Sequence, residues 1–141
     1  MRILRRFAAY SPLERRLVLK AWFVVAVVRV LLWVVPYRWM ETRLMAPPAL
    51  TVTPLTPAQI ALAVTRASKL VPFATCLTQA MAAGFLIRRT GRNAIIHFGV
   101  AKGERGFKAH AWLACDGRIL VGGREAAGYV PLTRSSEANS R

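Results

Sequence analysis

The chain is 141 residues long, enough for one domain with a modest core and too short for two. Lys and Arg outnumber Asp and Glu 21 to 6, a formal net charge of +15 that favours acidic partners such as nucleic acid, an anionic membrane face or an acidic peptide. The cations stand in separate pairs, Arg5-Arg6, Arg15-Arg16 and Arg88-Arg89, with no long basic run and no aromatic-studded RNA motif, so no nucleic-acid partner is expected.

Residues 1–12 are basic. Ser11 then offers an N-cap, Pro12 suits the first helical position, and Glu14 completes a capping box. A helix from about Pro12 to Val35 follows, ended by Pro36, and it holds much of the chain's 55% hydrophobic content. No small-residue cleavage site follows, which argues against a signal peptide. The run is nearly long enough to span a bilayer, but Lys20 and Arg29 lie nine residues apart on opposite sides of the helix. Each costs a few kcal/mol at the wrong depth in lipid. The reading preferred here is a core or partner-docking helix that touches a membrane rather than crosses one.

Residues 46–58 hold four of the eight prolines and read as an extended linker. Thr56-Pro57-Ala58-Gln59 starts a second capped helix through Leu70, with Ile60, Val64 and Ala67 on one side. Val71-Pro72 ends it. A third helix starts near Thr75 and runs to about Arg89, where Gly91 suits a C-terminal cap. Beyond Gly91 the period changes to two. Asn93 to Ala101 is a strand candidate, and Gly103 to Gly106 a loop. From Phe107 to Cys115, Phe107, Ala109, Ala111 and Leu113 face one way and Lys108, His110, Trp112 and Ala114 the other. Asp116-Gly117 is a hairpin turn signal. Arg118 to Gly122 returns as a strand, Tyr129 to Leu132 is a short last strand, and 133–141 is a polar tail.

The chemistry-bearing pair is Cys76 and His110. Cys76 falls in the first turn of a helix, where free amides and the helix dipole stabilise a thiolate and can serve an oxyanion. His110 lies mid-strand beside Trp112, and a helix packed on that face would bring imidazole and sulfur together. A nucleophile and a base on two such elements suit a cysteine hydrolase. The second cysteine, Cys115, sits in an apolar run and reads as buried filler, and His97 as a packed or edge histidine. Trp112 shields His110 from water, lines the substrate groove or simply packs in the core. Gln79 lies a turn past the cysteine and is expected to point elsewhere. The two cysteines and two histidines lack zinc-ligand spacing, and no phosphate-cradling glycine loop is present. No metal, nucleotide or other cofactor is therefore expected.

The order of Cys-helix, strand, His-Ala-Trp strand, Asp-Gly turn and strand resembles the papain-like core of transglutaminases. More narrowly, Cys76-Leu77-Thr78-Gln79-Ala80, Arg88-Arg89-Thr90-Gly91, Phe98-Gly99-Val100 and Phe107 to Leu113 resemble lasso peptide biosynthesis protein B, in its peptidase half. The resemblance covers about residues 57–132, and the hydrophobic N-terminal helix is similar too. It implies an α+β fold, with helices packed on a small antiparallel sheet and a hydrophobic helix in front. The division expected is a basic N-terminal segment over 1–45, a linker over 46–56, the peptidase core over 57–132 and the tail over 133–141. It also implies a stand-alone cytoplasmic cysteine protease that removes the leader of a ribosomally made precursor. The implied partners are the precursor leader, a separate leader-binding protein and an ATP-dependent lasso cyclase, with a membrane surface as a further contact.

The resemblance departs at one point. The family places an aspartate about a dozen residues after the histidine, and here that position is Gly122. Asp116 is the family-type acid nearest in sequence, but six strand residues at about 3.3 Å each put it roughly 20 Å from His110. With Cys115 paired to Arg118, His110 faces Gly123, and Glu125 comes within diagonal reach as an orienter. A two-residue dyad or a backbone carbonyl are the other ways to fill the third position. Two further readings stand beside the peptidase: another transglutaminase-like acyl-transfer enzyme, and a non-catalytic basic adaptor on a membrane. Cleavage of a lasso precursor, lost with Cys76→Ala and with His110→Ala, separates the peptidase from the other two, and membrane fractionation with and without residues 1–36 tests the anchor.

Overall fold

The computed structural model describes residues 9–44 and 53–132. The basic N-terminus, most of the proline-rich linker and the polar tail lie outside the described residues. Helix α1 (Pro12–Val34) starts on the capping box read from the sequence: Ser11 Oγ accepts from the Glu14 N–H, and Glu14 accepts from the Ser11 N–H at 2.8 Å. Those bonds hold the Glu14 carboxyl below its ordinary range. Pro36 ends α1, and its carbonyl then accepts from the Trp39 and Met40 amides, so a short helix α2 (Tyr37–Leu44) follows at once. The sequence pattern assigns no element there. Helix α3 (Pro57–Ser68) starts on Thr56 and Gln59, and α4 (Cys76–Arg88) on Thr75 and Thr78.

Strands β1 (Ala94–Gly103), β2 (Gly106–Cys115) and β3 (Arg118–Val121), a single-turn helix α5 (Gly123–Ala126) and β4 (Val130–Pro131) complete the chain order. The sheet is antiparallel in the order β3-β2-β1-β4. The α+β architecture expected from the sequence, with an apolar N-terminal helix, is the one observed.

One face of the sheet carries Ala94 and Ile96 of β1 with Leu113 and Cys115 of β2. These residues share a core with Val64, Ala67, Met81 and Ile87 of α3 and α4. On the same face Phe98 meets the Tyr37 ring edge-on at 5.2 Å. Helix α1 belongs to this core as well. Val18, Ala21, Val25 and Val28 are at most 5% exposed, and their spacing makes one stripe along the helix. Each buried valine stabilises the fold by about 1.5 kcal/mol or more. The helix that precedes the linker therefore packs as part of the domain rather than beside it.

The opposite flank of α1 is apolar and bare, with Leu19, Phe23, Val30, Trp33 and Val34 each more than half exposed. Its two internal cations differ: Lys20 stands in solvent, whereas Arg29 is half-buried with its guanidinium over the Trp33 ring at 4.9 Å. By length and composition α1 is able to cross a membrane, but a core stripe and a signal sequence pass the same test.

Candidate active site

Cys76 is the first residue of α4, fixed there by the Thr75 cap. Thr75 Oγ1 accepts from the Thr78 N–H at 3.3 Å, and Thr78 Oγ1 accepts from the Thr75 N–H at 3.4 Å. Thr78 is fully buried, so this box is held by the core as well as by its own bonds. Thr75→Ala is expected to cost about 1 kcal/mol of stability, the ordinary loss of an N-cap. It should also loosen the turn that carries the thiol, and urea unfolding measures the first effect.

His110 sits in the middle of β2 at 5% exposure. It does not lie on the face that α4 packs against. It shares the other face with Trp112, so the helix-on-that-face arrangement expected from the sequence is not the one formed. Cys76 and His110 instead line one cavity at the sheet edge. β3 pairs only with residues 113–115 of β2 and stops at Val121, which leaves the edge open at the level of His110. A cavity of about 370 Å³ fills that gap, lined by Cys76, Gln79, His110, Val121 and residues 122–125. Among the described residues no hydrogen bond joins Cys76 to His110.

The imidazole is held by a main-chain group. His110 Nε2 lies 3.0 Å from the Gly122 carbonyl oxygen. That oxygen also accepts the Ala126 N–H at 3.2 Å, as the carbonyl that opens α5. A carbonyl only accepts, so Nε2 carries the proton, and neutral His110 keeps its lone pair on Nδ1. Glu125 Oε2 stands 3.5 Å from Nδ1 on a side chain that is 71% exposed. Of the two candidate acids, Glu125 reaches the histidine, but at the nitrogen opposite the carbonyl. Its attraction grows when Nδ1 takes a proton, and solvent screens it.

Asp116 does not reach the site. Its carboxylate accepts from Arg92 at 3.0 Å, and its backbone, with φ 51°, makes the turn before Gly117. Gln79 corrects the sequence reading in the other direction: three residues after Cys76, it shares that face of α4 and lines the same cavity.

Trp112 is 6% exposed and lies outside the cavity lining. Its ring stacks nearly parallel to His97 at 5.9 Å and to His110 at 6.0 Å, with Tyr129 against His110 at 5.1 Å. Rather than lining the groove, it packs over the histidine, as a core side chain does. Gly99 makes room for it, since a Cβ there would sit 2.7 Å from the indole.

Cys115 is 4% exposed, and burial pushes its thiol up from the ordinary value, helped by the Asp116 charge. Cys76 is half-exposed and opens onto the cavity. Iodoacetamide on the folded protein is therefore expected to alkylate Cys76 and spare Cys115. Peptide mass mapping reads this directly, and equal labelling of both would contradict the burial.

The family signature described as transglutaminase-like superfamily matches residues 21–134, which takes in most of α1 and every strand. Comparison with curated proteins and with solved structures gave no match. That superfamily has a papain-like core and typically houses cysteine peptidases and acyltransferases. By this match over most of its length, the chain belongs to the transglutaminase-like superfamily.

Proposed function

We propose that the chain is a cysteine peptidase that removes the leader from a ribosomally synthesised lasso peptide precursor. Cys76 is the nucleophile and His110 the base. The observation that carries the chemistry is the shared cavity, with a helix-start thiol and a buried, tautomer-fixed imidazole on its wall. The choice of a lasso precursor rests on the short motifs around Cys76, Arg88 and His110.

His110 Nδ1 removes the thiol proton, and the resulting imidazolium gains the Glu125 carboxylate beside it. The thiolate attacks the scissile carbonyl, and the oxyanion is met by the Cys76 backbone N–H, unpaired as the first in α4. Collapse breaks the C–N bond and expels the core peptide's amine, which takes its proton from Nδ1–H and leaves the leader as the acyl group on Cys76. Water, deprotonated by Nδ1, then releases the acid and restores the thiol. The +15 charge suits an acidic leader. A separate leader-binding protein presents the substrate, and an ATP-dependent cyclase closes the freed core peptide.

The test is incubation of the chain with a lasso precursor and its leader-binding protein, followed by mass spectrometry. Release of intact leader, lost with Cys76→Ala, is the expected result. Cleavage that survives Cys76→Ala overturns the reading. An acyl group transferred from Cys76 to an added amine, with no precursor cleaved, favours the acyltransferase alternative within the same superfamily.

A further inference from the structure

We propose that α1 anchors the protein flat on an anionic membrane surface, with its bare stripe in the acyl–headgroup boundary. The stripe is built from Leu19, Phe23, Val27, Val30, Trp33 and Val34, all on one face and all exposed. It runs for about 22 Å at 1.5 Å per residue. No other helix among the described residues presents so many large apolar side chains to solvent. Water alone does not favour such a surface on a monomer.

The charge around the stripe identifies what covers it. Glu14 is the sole acidic residue in the first 40. Arg16 and Lys20 stand one helical turn apart at one end of the stripe, with Arg38 beyond the other, and Arg29 and Arg43 lie over the Trp33 and Trp39 rings. Cations paired with tryptophans at the border of an apolar band match the headgroup layer of a bilayer. Beside the stripe a groove of about 200 Å³ gathers Arg16, Lys20, Arg89 and Thr90 above Leu13, Leu17 and Leu86. None of its three cations has a carboxylate partner among the described residues. A phosphate with an apolar tail has the chemistry that fits there.

The packing of α1 argues against a crossing. The far side of α1 packs Val18, Ala21, Val25 and Val28 into the core formed with α3 and α4. Carrying α1 through a bilayer would strip that core or drag both helices into lipid with Gln59, Arg66 and Arg88 on them. A helix half in the domain and half bare lies in the plane of the surface.

The experiment is cell-free synthesis of the full chain with vesicles of neutral phosphatidylcholine or of the same lipid with 30% phosphatidylglycerol, followed by flotation. At least ten-fold more protein is expected on the anionic vesicles, falling as salt rises. The exposed double variant Phe23→Ser/Trp33→Ser is expected to stay at the bottom of the gradient while keeping leader-peptidase turnover of a soluble precursor. Arg16→Gln/Arg89→Gln should lose the preference for anionic lipid. Three results each overturn the proposal: no flotation with anionic vesicles, flotation unchanged by both double variants, or a C-terminal tag protected inside sealed vesicles. A soluble dimer that the Phe23→Ser/Trp33→Ser change dissociates would assign the stripe to a second copy instead.

Discussion

Under the proposed mechanism, His110→Gln is expected to lower kcat/KM for leader removal by about 10² to 10⁴, the usual range for loss of a general base. Glutamine is chosen because it keeps most of the buried volume between Trp112 and Tyr129 and can still donate to the Gly122 carbonyl. It cannot take a proton from the Cys76 thiol or return one to the leaving amine. Folding should therefore survive while turnover fails, a separation that His110→Ala would blur by opening a void beneath two aromatic rings. Single-turnover cleavage by mass spectrometry, with urea unfolding alongside, measures both. Turnover within threefold of the parent would remove His110 from the mechanism. Glu125→Gln belongs to the same series with a much smaller effect, less than about tenfold, because its carboxylate is solvent-screened.

Gly122→Ala is the second large effect. Gly122 sits at φ +77°, where a side chain costs roughly 1–2 kcal/mol. An added Cβ would lie 2.9 Å from His110 Nε2, 3.1 Å from the Ala111 carbonyl and 3.1 Å from Trp112 Cβ. Two of those neighbours are stiff, a main-chain carbonyl and the root of a packed tryptophan, so overpacking adds about 1–3 kcal/mol more. The imidazole is the part able to move, and a shift near 1 Å in a catalytic group can cost on the order of 10²-fold in rate. The variant should thus lose stability in urea and turnover together. Gly122→Asp, which places an acid where the resemblance to lasso peptidases expects one, is expected to fail in the same way, since its Cβ meets the same atoms. Full activity in either variant would contradict the carbonyl-held imidazole.

Much of this fold is legible in local chemistry alone. Ser11, Thr56 and Thr75 each start the helix their sequence announces, because a cap and its partner three residues on satisfy amides that nothing else reaches. The alternation from Phe107 to Cys115 and the Asp116-Gly117 turn lead correctly to β2 and to the Cys115–Arg118 pair.

What local chemistry does not supply is register and re-entry. An irregularity between Leu113 and Ala114 breaks the simple register, and β3 ends at Val121, so the left-handed turn at Gly122, not ladder pairing with Gly123, brings a carbonyl to His110. A left-handed glycine followed by a single helical turn leaves only a weak trace in the letters Gly-Gly-Arg-Glu-Ala. Helix α2 is hard to see because Pro36 reads as an ending, while its carbonyl also serves as a beginning. Gln79 looks remote by distance along the chain, although three residues on a helix return to the same side. The missing aspartate is visible as a glycine. That its backbone oxygen meets the imidazole is a property of geometry, with no side chain to announce it.

The two-sided character of α1 has a practical consequence for anyone preparing the protein. Removing residues before the proline-rich linker, the usual remedy for a greasy N-terminus, takes Val18, Ala21, Val25 and Val28 away from Ile60, Val64 and Met81. The remainder would then bare a hydrophobic trough along α3 and α4 and aggregate for a reason unrelated to lipid. Polar replacements on the outward side alone, at Leu19, Phe23, Val30 and Trp33, leave the inward seam whole. Solubility gained that way would come with the fold intact.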